Sequence, residues 1–309
     1  MNRSSILITI LLTLTLLLSA CTPAGTPAPT SVPTQAGLTL TDGLGRSVTL
    51  PKPATKVISM APSNTEILFA LNAGDSVIGR DEFSDYPAEA KSLPSIGGSM
   101  GKYDFEQIAK LQPDLVLASS LNTPEQIKSI EDLNIPVFEI ANPTSIDGLY
   151  TNLETVGQLV GHSSDASKLV DALKQRVNSV TAAVARAASQ PKVYYEFDGT
   201  DPAKPWTAGP GSFVETLIKM AGGVNAAASL KSDYAQISQE ELIAANPDFI
   251  LLGDGAYGVT PDQVAQRPGW NVMRAVQDKK VVVVDDNTFS RPGPRLVDGL
   301  ETLYKLLHP

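Results

Sequence analysis

A chain of 309 residues with 42% apolar content can bury a sizeable core, and its length suggests two domains at roughly 150 residues each. A formal charge of −9, with no run of lysines or arginines, argues against a nucleic-acid binder, whose phosphates need a basic patch. Two isolated histidines and one cysteine cannot build a zinc or copper site, and a lone cysteine excludes an internal disulfide framework.

At the N-terminus, Arg3 precedes the apolar run Ile6 to Leu18. That run is short of the ~20 residues of a membrane span, and it has the charged start, apolar middle and small-residue end of a secretory signal. Cys21 follows Ser19 and Ala20 directly, a pattern that resembles the lipobox of bacterial lipoproteins. The resemblance implies a signal peptide over residues 1–20 and a diacylglycerol on Cys21; an ordinary signal cut at a nearby small residue is the alternative. Residues 21–37 are rich in proline and threonine, cannot bury a core, and read as an extended tether between membrane and body.

Leu38 to Pro51 alternates strand-like residues around Asp42-Gly43 and Gly45, which predicts a hairpin. Lys56 to Met60 reads as a short apolar strand. Ser63 with Glu66 predicts a capping box at the start of the next helix, and Ser212 with Glu215 repeats it. The stretch from Phe105 to Leu117, with Glu106 at its front and Pro113-Asp114 before an apolar strand, also recurs: Glu240 and Pro247-Asp248 keep the same spacing before Phe249 to Leu251. A further strand closes each half, Ile135 to Ile140 and Lys280 to Val284.

Strands alternating with helices imply right-handed crossovers and a mainly parallel sheet. The expected fold is therefore α/β, with two Rossmann-like lobes lying side by side. Leu169, Val170, Leu173, Val177, Val180 and Val184 follow a helical period without interior glycine or proline, so one long rigid helix over Ser163 to Gln190 is expected to join the lobes. The implied division is 38–162 for the first lobe, 163–190 for the linking helix and 191–309 for the second lobe.

Enzyme chemistry finds little footing. Gly97-Gly-Ser99-Met-Gly101 matches the nucleophile-elbow pattern, but no buried strand leads directly into Ser99, no helix follows at once, and His162 and His308 lie at element ends. Ala208-Gly-Pro-Gly-Ser212 could present backbone donors to a phosphate but lacks the lysine and length of a P-loop; a tight turn into a capped helix is the simpler reading.

Several segments together resemble the substrate-binding lipoproteins of bacterial ABC importers, in the subgroup that carries cobalamin, ferric siderophores and haem. They are Val57 to Glu66, Phe83 to Pro87, Phe105-Glu106 with Pro113-Asp114, Trp206 to Phe213, Pro268 to Trp270, and Ser290 to Arg295. Ser84 to Pro87 is most similar to the cobalamin binders. The resemblance implies a protein that is not an enzyme and has no resident cofactor. It would be a monomer, lipid-anchored on the extracytoplasmic side of the cell membrane, delivering its ligand to a permease dimer with ATPase subunits.

The resemblance also implies a ligand cleft between the two lobes, and residue by residue it places Pro62, Asn64, Phe83 and Met100 on the first-lobe wall of that cleft. It places Trp206, Tyr234, Asn287 and Arg291 on the second. Aromatic faces from both sides with a few orienting polar groups suit a broad, nearly planar macrocycle; core packing is the alternative for any single aromatic, least so for Trp206, which reads as lying in a loop rather than on a periodic apolar face. Met100, Tyr234 and Asn287 stand where the cobalamin receptors carry tryptophan, tryptophan and aspartate, so a ferric siderophore or haem is the alternative ligand. A surface adhesin or sensor on the same fold is the alternative of another class. In the family, glutamates matching Glu106 and Glu240 meet arginines on the two permease subunits; read alone, each is a first-turn carboxylate worth ~0.3–1 kcal/mol to its helix dipole.

Overall fold

The computed structural model describes residues 37–309. The expected signal peptide, Cys21 and the tether up to residue 36 lie outside the described residues. The chain enters through an antiparallel hairpin, β1 (Leu38–Thr41) and β2 (Ser47–Leu50), in register Leu38 to Leu50. Asp42 shapes its turn by accepting from the backbone N–H groups of Leu44 at 3.1 Å and Arg46 at 2.8 Å.

The first lobe runs β3 (Val57–Ser59), α1 (Pro62–Ala70), β4 (Val77–Arg80), α2 (Phe105–Leu111), β5 (Leu115–Ser119), α3 (Pro124–Glu131), β6 (Val137–Ile140) and α4 (Ile146–Leu159). Its four strands lie in the order β4-β3-β5-β6, all parallel. β5 and β6 are buried along their whole length, as strands covered on both faces must be.

Helix α5 (Ser163–Val184) crosses to the second lobe. Its 22 residues span about 33 Å. The helix stops at Val184 rather than continuing to Gln190. Arg186 and Ala187 donate to the carbonyls three residues back, tightening the last turn, and Pro191 biases the residue before it toward extended backbone. Ala166, Val170, Leu173, Val177 and Val180 form its buried face, part of one apolar cluster that takes in residues of both lobes. Each buried valine or leucine there contributes up to ~1.5–3 kcal/mol. Arg176 on the same helix donates to Glu301 at 2.8 Å and Asp298 at 2.6 Å.

The second lobe runs β7 (Lys192–Asp198), β8 (Trp206–Ala208), α6 (Phe213–Met220), β9 (Val224–Asn225), β10 (Tyr234–Gln236), α7 (Gln239–Ala245), β11 (Phe249–Leu252), α8 (Pro261–Ala265), α9 (Arg274–Gln277), β12 (Val281–Val283), α10 (Asn287–Ser290) and α11 (Leu296–Leu307). β9, β7, β11 and β12 are parallel and repeat the order of the first sheet. The difference lies on the flank of β7. Its first residues pair with β9, whereas Glu196 and Asp198 pair antiparallel with β8, which in turn pairs with β10. The duplication is therefore literal, with an antiparallel addition at the carboxyl end of β7.

The repeated helix-to-strand unit also has a shared mechanism. α2 ends on Gln112 at φ +51° and α7 on Asn246 at φ +44°, both in the left-handed cap conformation, and a Pro-Asp pair follows each. Asp114 then accepts from the Lys56 backbone at 2.9 Å, and Asp248 from the Lys192 backbone at 2.8 Å. Each aspartate thus ties its own strand to the one entering beside it.

One local expectation fails. α1 is capped by Ala61 with Pro62 in the first helical position, so Ser63 lies inside the helix and makes no cap bond. Glu66 turns instead toward Arg291 and Arg295. In the second lobe Ser212 does cap α6, accepting from Glu215 N at 3.1 Å, while the Glu215 carboxylate reaches back to the Gly211 N–H at 3.1 Å.

Candidate functional site

Doubly wound sheets present the carboxyl ends of their strands as a ligand crevice. Here those ends open onto one cleft of about 480 Å³, floored by the turns after β3, β5 and β6 on one side and by β7, β10 and the α10 region on the other. Pro62, Asn64, Ser119, Leu121 and Asn142 belong to the first-lobe wall; Phe197, Tyr234, Asp286 and Arg291 belong to the second.

Of the eight residues expected at the cleft, Pro62, Asn64, Tyr234 and Arg291 line it. Asn64 is buried and donates its amide to the carbonyls of Ala118 at 2.9 Å and Leu117 at 3.3 Å, so it fastens α1 to the end of β5. Tyr234 packs against Phe197, with ring centroids 5.7 Å apart. Trp206 is absent from the lining but faces Gln236 across the β8-β10 ladder, diagonal to Tyr234 on the same face. Phe83 lies beside the wall, where its carbonyl is 3.5 Å from Arg291 Nη2. Met100 is 87% exposed on a tight turn at φ +48° and does not reach the lining. Asn287 likewise does not, since its amide donates to Asp285 in its own turn at 2.9 Å.

Two residues that sequence reasoning missed complete the apolar surface. Phe197 is 44% exposed at the end of an otherwise buried strand, and Leu121 is 86% exposed just after β5. Position at a strand's carboxyl end is the signal that could have found both.

The cleft's charges are few and committed. Arg291 Nη1 donates to Asp85 at 2.7 Å and to Glu66 at 3.3 Å. Burial opposes ionisation of Asp85, but the Arg291 hydrogen bond and charge overcome it and hold its carboxyl below the usual range. Asp286 accepts from the Tyr195 hydroxyl and from Ser290 Oγ at 2.7 Å. Burial, and then the charge of Asp286, push the Tyr195 phenol up, which keeps it a donor. The remaining polar lining is neutral: serines and amides.

The two candidate docking glutamates are exposed in the first turns of α2 and α7. Neither makes a hydrogen bond or ion pair with any described residue. Their neighbours do the capping: Asp104 accepts from Gln107 N at 2.8 Å, and Ser238 and Glu241 form a reciprocal box. Glu241 is thereby committed to its own helix, and Glu240 is not.

A family model for periplasmic binding proteins matches residues 57–288. The chain belongs to this family. Over 275 residues it is 30% identical to an ABC transporter substrate-binding lipoprotein, YvrC, of Bacillus subtilis (strain 168), covering 88% of this chain and 86% of that one. It is 29% identical over 279 residues to a cobalamin-binding protein of Halobacterium salinarum (strain ATCC 29341 / DSM 671 / R1), covering 88% and 74%. Among solved structures, the periplasmic haem-binding protein RhuT of Roseiflexus sp. RS-1 matches with a TM-score of 0.73 and 28% identity over 82% of this chain and 97% of that one. As a periplasmic binding protein the chain has the two-lobed α/β fold expected from its repeats.

Proposed function

We propose that this protein is the extracytoplasmic substrate-binding component of an ABC importer, and that its cleft captures a corrinoid for delivery to a permease. The observation that carries the choice of ligand is the charge balance of the cleft. Its one arginine is already paired with Asp85 and Glu66, and its other polar groups are serines, amides and a hydrogen-bonded aspartate. A corrinoid is a large neutral face fringed with amides, which such groups can satisfy without stranding a charge. Phe197, Tyr234 and Leu121 supply apolar surface for the ring.

The likeness to a haem-binding protein favours haem as the second reading. Its propionates would need a cation that the wall does not hold in reserve. Equilibrium titration separates the two: the purified protein should bind cyanocobalamin with a Kd of about a micromolar or tighter and haem at least tenfold more weakly. Preference for haem or for a ferric siderophore would reverse the assignment. Truncating Phe197 or Tyr234 to alanine should raise the cyanocobalamin Kd about tenfold each, since either loss removes an aromatic face and its partner's support.

Docking of the lobes on a permease is supported by where Glu106 and Glu240 stand. α2 and α7 each precede a parallel strand and run back against it, so their first turns lie at the sheet edge that opens onto the cleft. A receptor docked through both would present its cleft to a twofold transporter. Anchoring through Cys21 would hold it at the membrane surface.

A further inference from the structure

The lobes meet at a narrow bridge beside the cleft as well as through the linking helix. Among the described residues, every side-chain hydrogen bond between the first and second lobes involves Arg291 or Arg295. The focus is Glu66, whose side chain is only 2% exposed. Its Oε1 accepts from Arg295 Nη2 at 2.5 Å and Arg291 Nη1 at 3.3 Å, and its Oε2 accepts from Arg295 Nε at 2.8 Å. Arg295 also lies 3.9 Å over the ring of Tyr86 in the first lobe.

Open space flanks this bridge on both sides. The ligand cleft lies on the Arg291 side. A second cavity of about 510 Å³, bounded by Tyr86, Leu169, Leu173 and Pro294, lies on the Arg295 side. The ion cluster, rather than packed apolar side chains, therefore spans the lobes at this level. Both arginines are carried on Arg291-Pro-Gly-Pro-Arg295, where two prolines fix φ and hold the arginines in register.

We propose that Glu66 and Arg295 are positioning residues of the cleft: their buried ion pair sets the separation of the lobes and presents Arg291 to the ligand. Neither touches the cleft surface itself. Arg291 is held through Nη1 by Glu66 and Asp85, and its Nε makes no hydrogen bond to any described residue, leaving a donor for a ligand carbonyl. That last role rests on the corrinoid reading; the control of lobe separation does not.

The test measures lobe separation without ligand. Spin labels at Ser129→Cys and Asp278→Cys, exposed sites on opposite lobes, would be placed in the full chain carrying Cys21→Ser. Electron–electron double resonance should give one narrow distance peak. Glu66→Gln and Arg295→Gln should each broaden that peak toward longer distances and raise the cyanocobalamin Kd about tenfold, and the double variant should be no worse than Glu66→Gln alone. The conservative Arg295→Gln keeps Glu66 paired with Arg291, so it reads out the clamp even if Glu66→Gln folds poorly. An unchanged peak in both single variants, or purely additive losses in the double, would overturn the proposal. If the parent binds no cyanocobalamin, the corrinoid reading falls while the distances still decide the clamp.

Discussion

Converting both Glu106 and Glu240 to arginine is expected to lower corrinoid uptake by cells at least about hundredfold and leave the cyanocobalamin Kd of the purified protein unchanged. Setting like charges against each other at an interface costs several kcal/mol, and each 1.4 kcal/mol is a factor of about ten. The single substitutions should fall between parent and double variant, because each would disturb one post of a two-post contact. Ligand binding should be indifferent, since both carboxylates are exposed, bonded to no described residue, and outside the cleft lining. Uptake assays in a strain carrying the cognate permease, paired with titration of the purified variants, check both halves. A weakened Kd would place these residues in the cleft, and undiminished uptake would remove them from docking.

The largest stability effect is expected inside the second lobe. Glu196 is wholly buried and faces Arg267, whose Nη1 lies 2.5 Å from Oε2, and the guanidinium stacks 4.5 Å from the Trp270 ring centre. Arg267→Ala should destabilise the protein by roughly 3–5 kcal/mol, because it strands a buried carboxylate next to Asp254. Burial already raises the Glu196 pKa above its ordinary 4.5, although Arg267 works against the shift. Without Arg267 the folded value rises further. An acid with a raised folded pKa binds its proton more tightly in the native state, so its stabilising contribution is full below the unfolded value and lost as pH climbs through the folded one. The deficit of the variant against the parent should therefore shrink as pH is lowered toward about 4.5 and widen toward neutrality. Urea unfolding of both proteins across that range measures it; a pH-independent deficit would mean that losing Arg267 leaves the proton binding of Glu196 unchanged.

The duplicated architecture was readable because its signals are local. A helix start at Asp104 or Ser238, a left-handed cap at Gln112 or Asn246, and the Pro-Asp that follows are all set within a dozen residues. The linking helix was readable for the same reason, apart from its final turn. Glu66 was misread because Ser-x-x-Glu is a sound local rule, while the partners that claim the carboxylate stand on the far lobe at Arg291 and Arg295. The antiparallel β8-β10 addition escaped because Trp206 to Ala208 and Tyr234 to Gln236 are three-residue strands with no period to detect. Of the cleft, Pro62, Asn64, Tyr234 and Arg291 came through the family resemblance. Phe197 and Leu121 are visible only once the strands have ends in space.

The single crossing by the helix at Ser163–Val184 has a bearing on the order of folding. The strands of the first sheet are complete once Ile140 has emerged, and none of them pairs with a strand from the second half. The first sheet therefore closes without any strand of the second half, as the low cost of closing short loops favours. The bridge from Glu66 to Arg291 and Arg295, and the apolar packing of the linking helix against the second lobe, need the second half. Strand pairing can thus be completed lobe by lobe, whereas the apolar cluster that the linking helix shares with both lobes closes only when both are present.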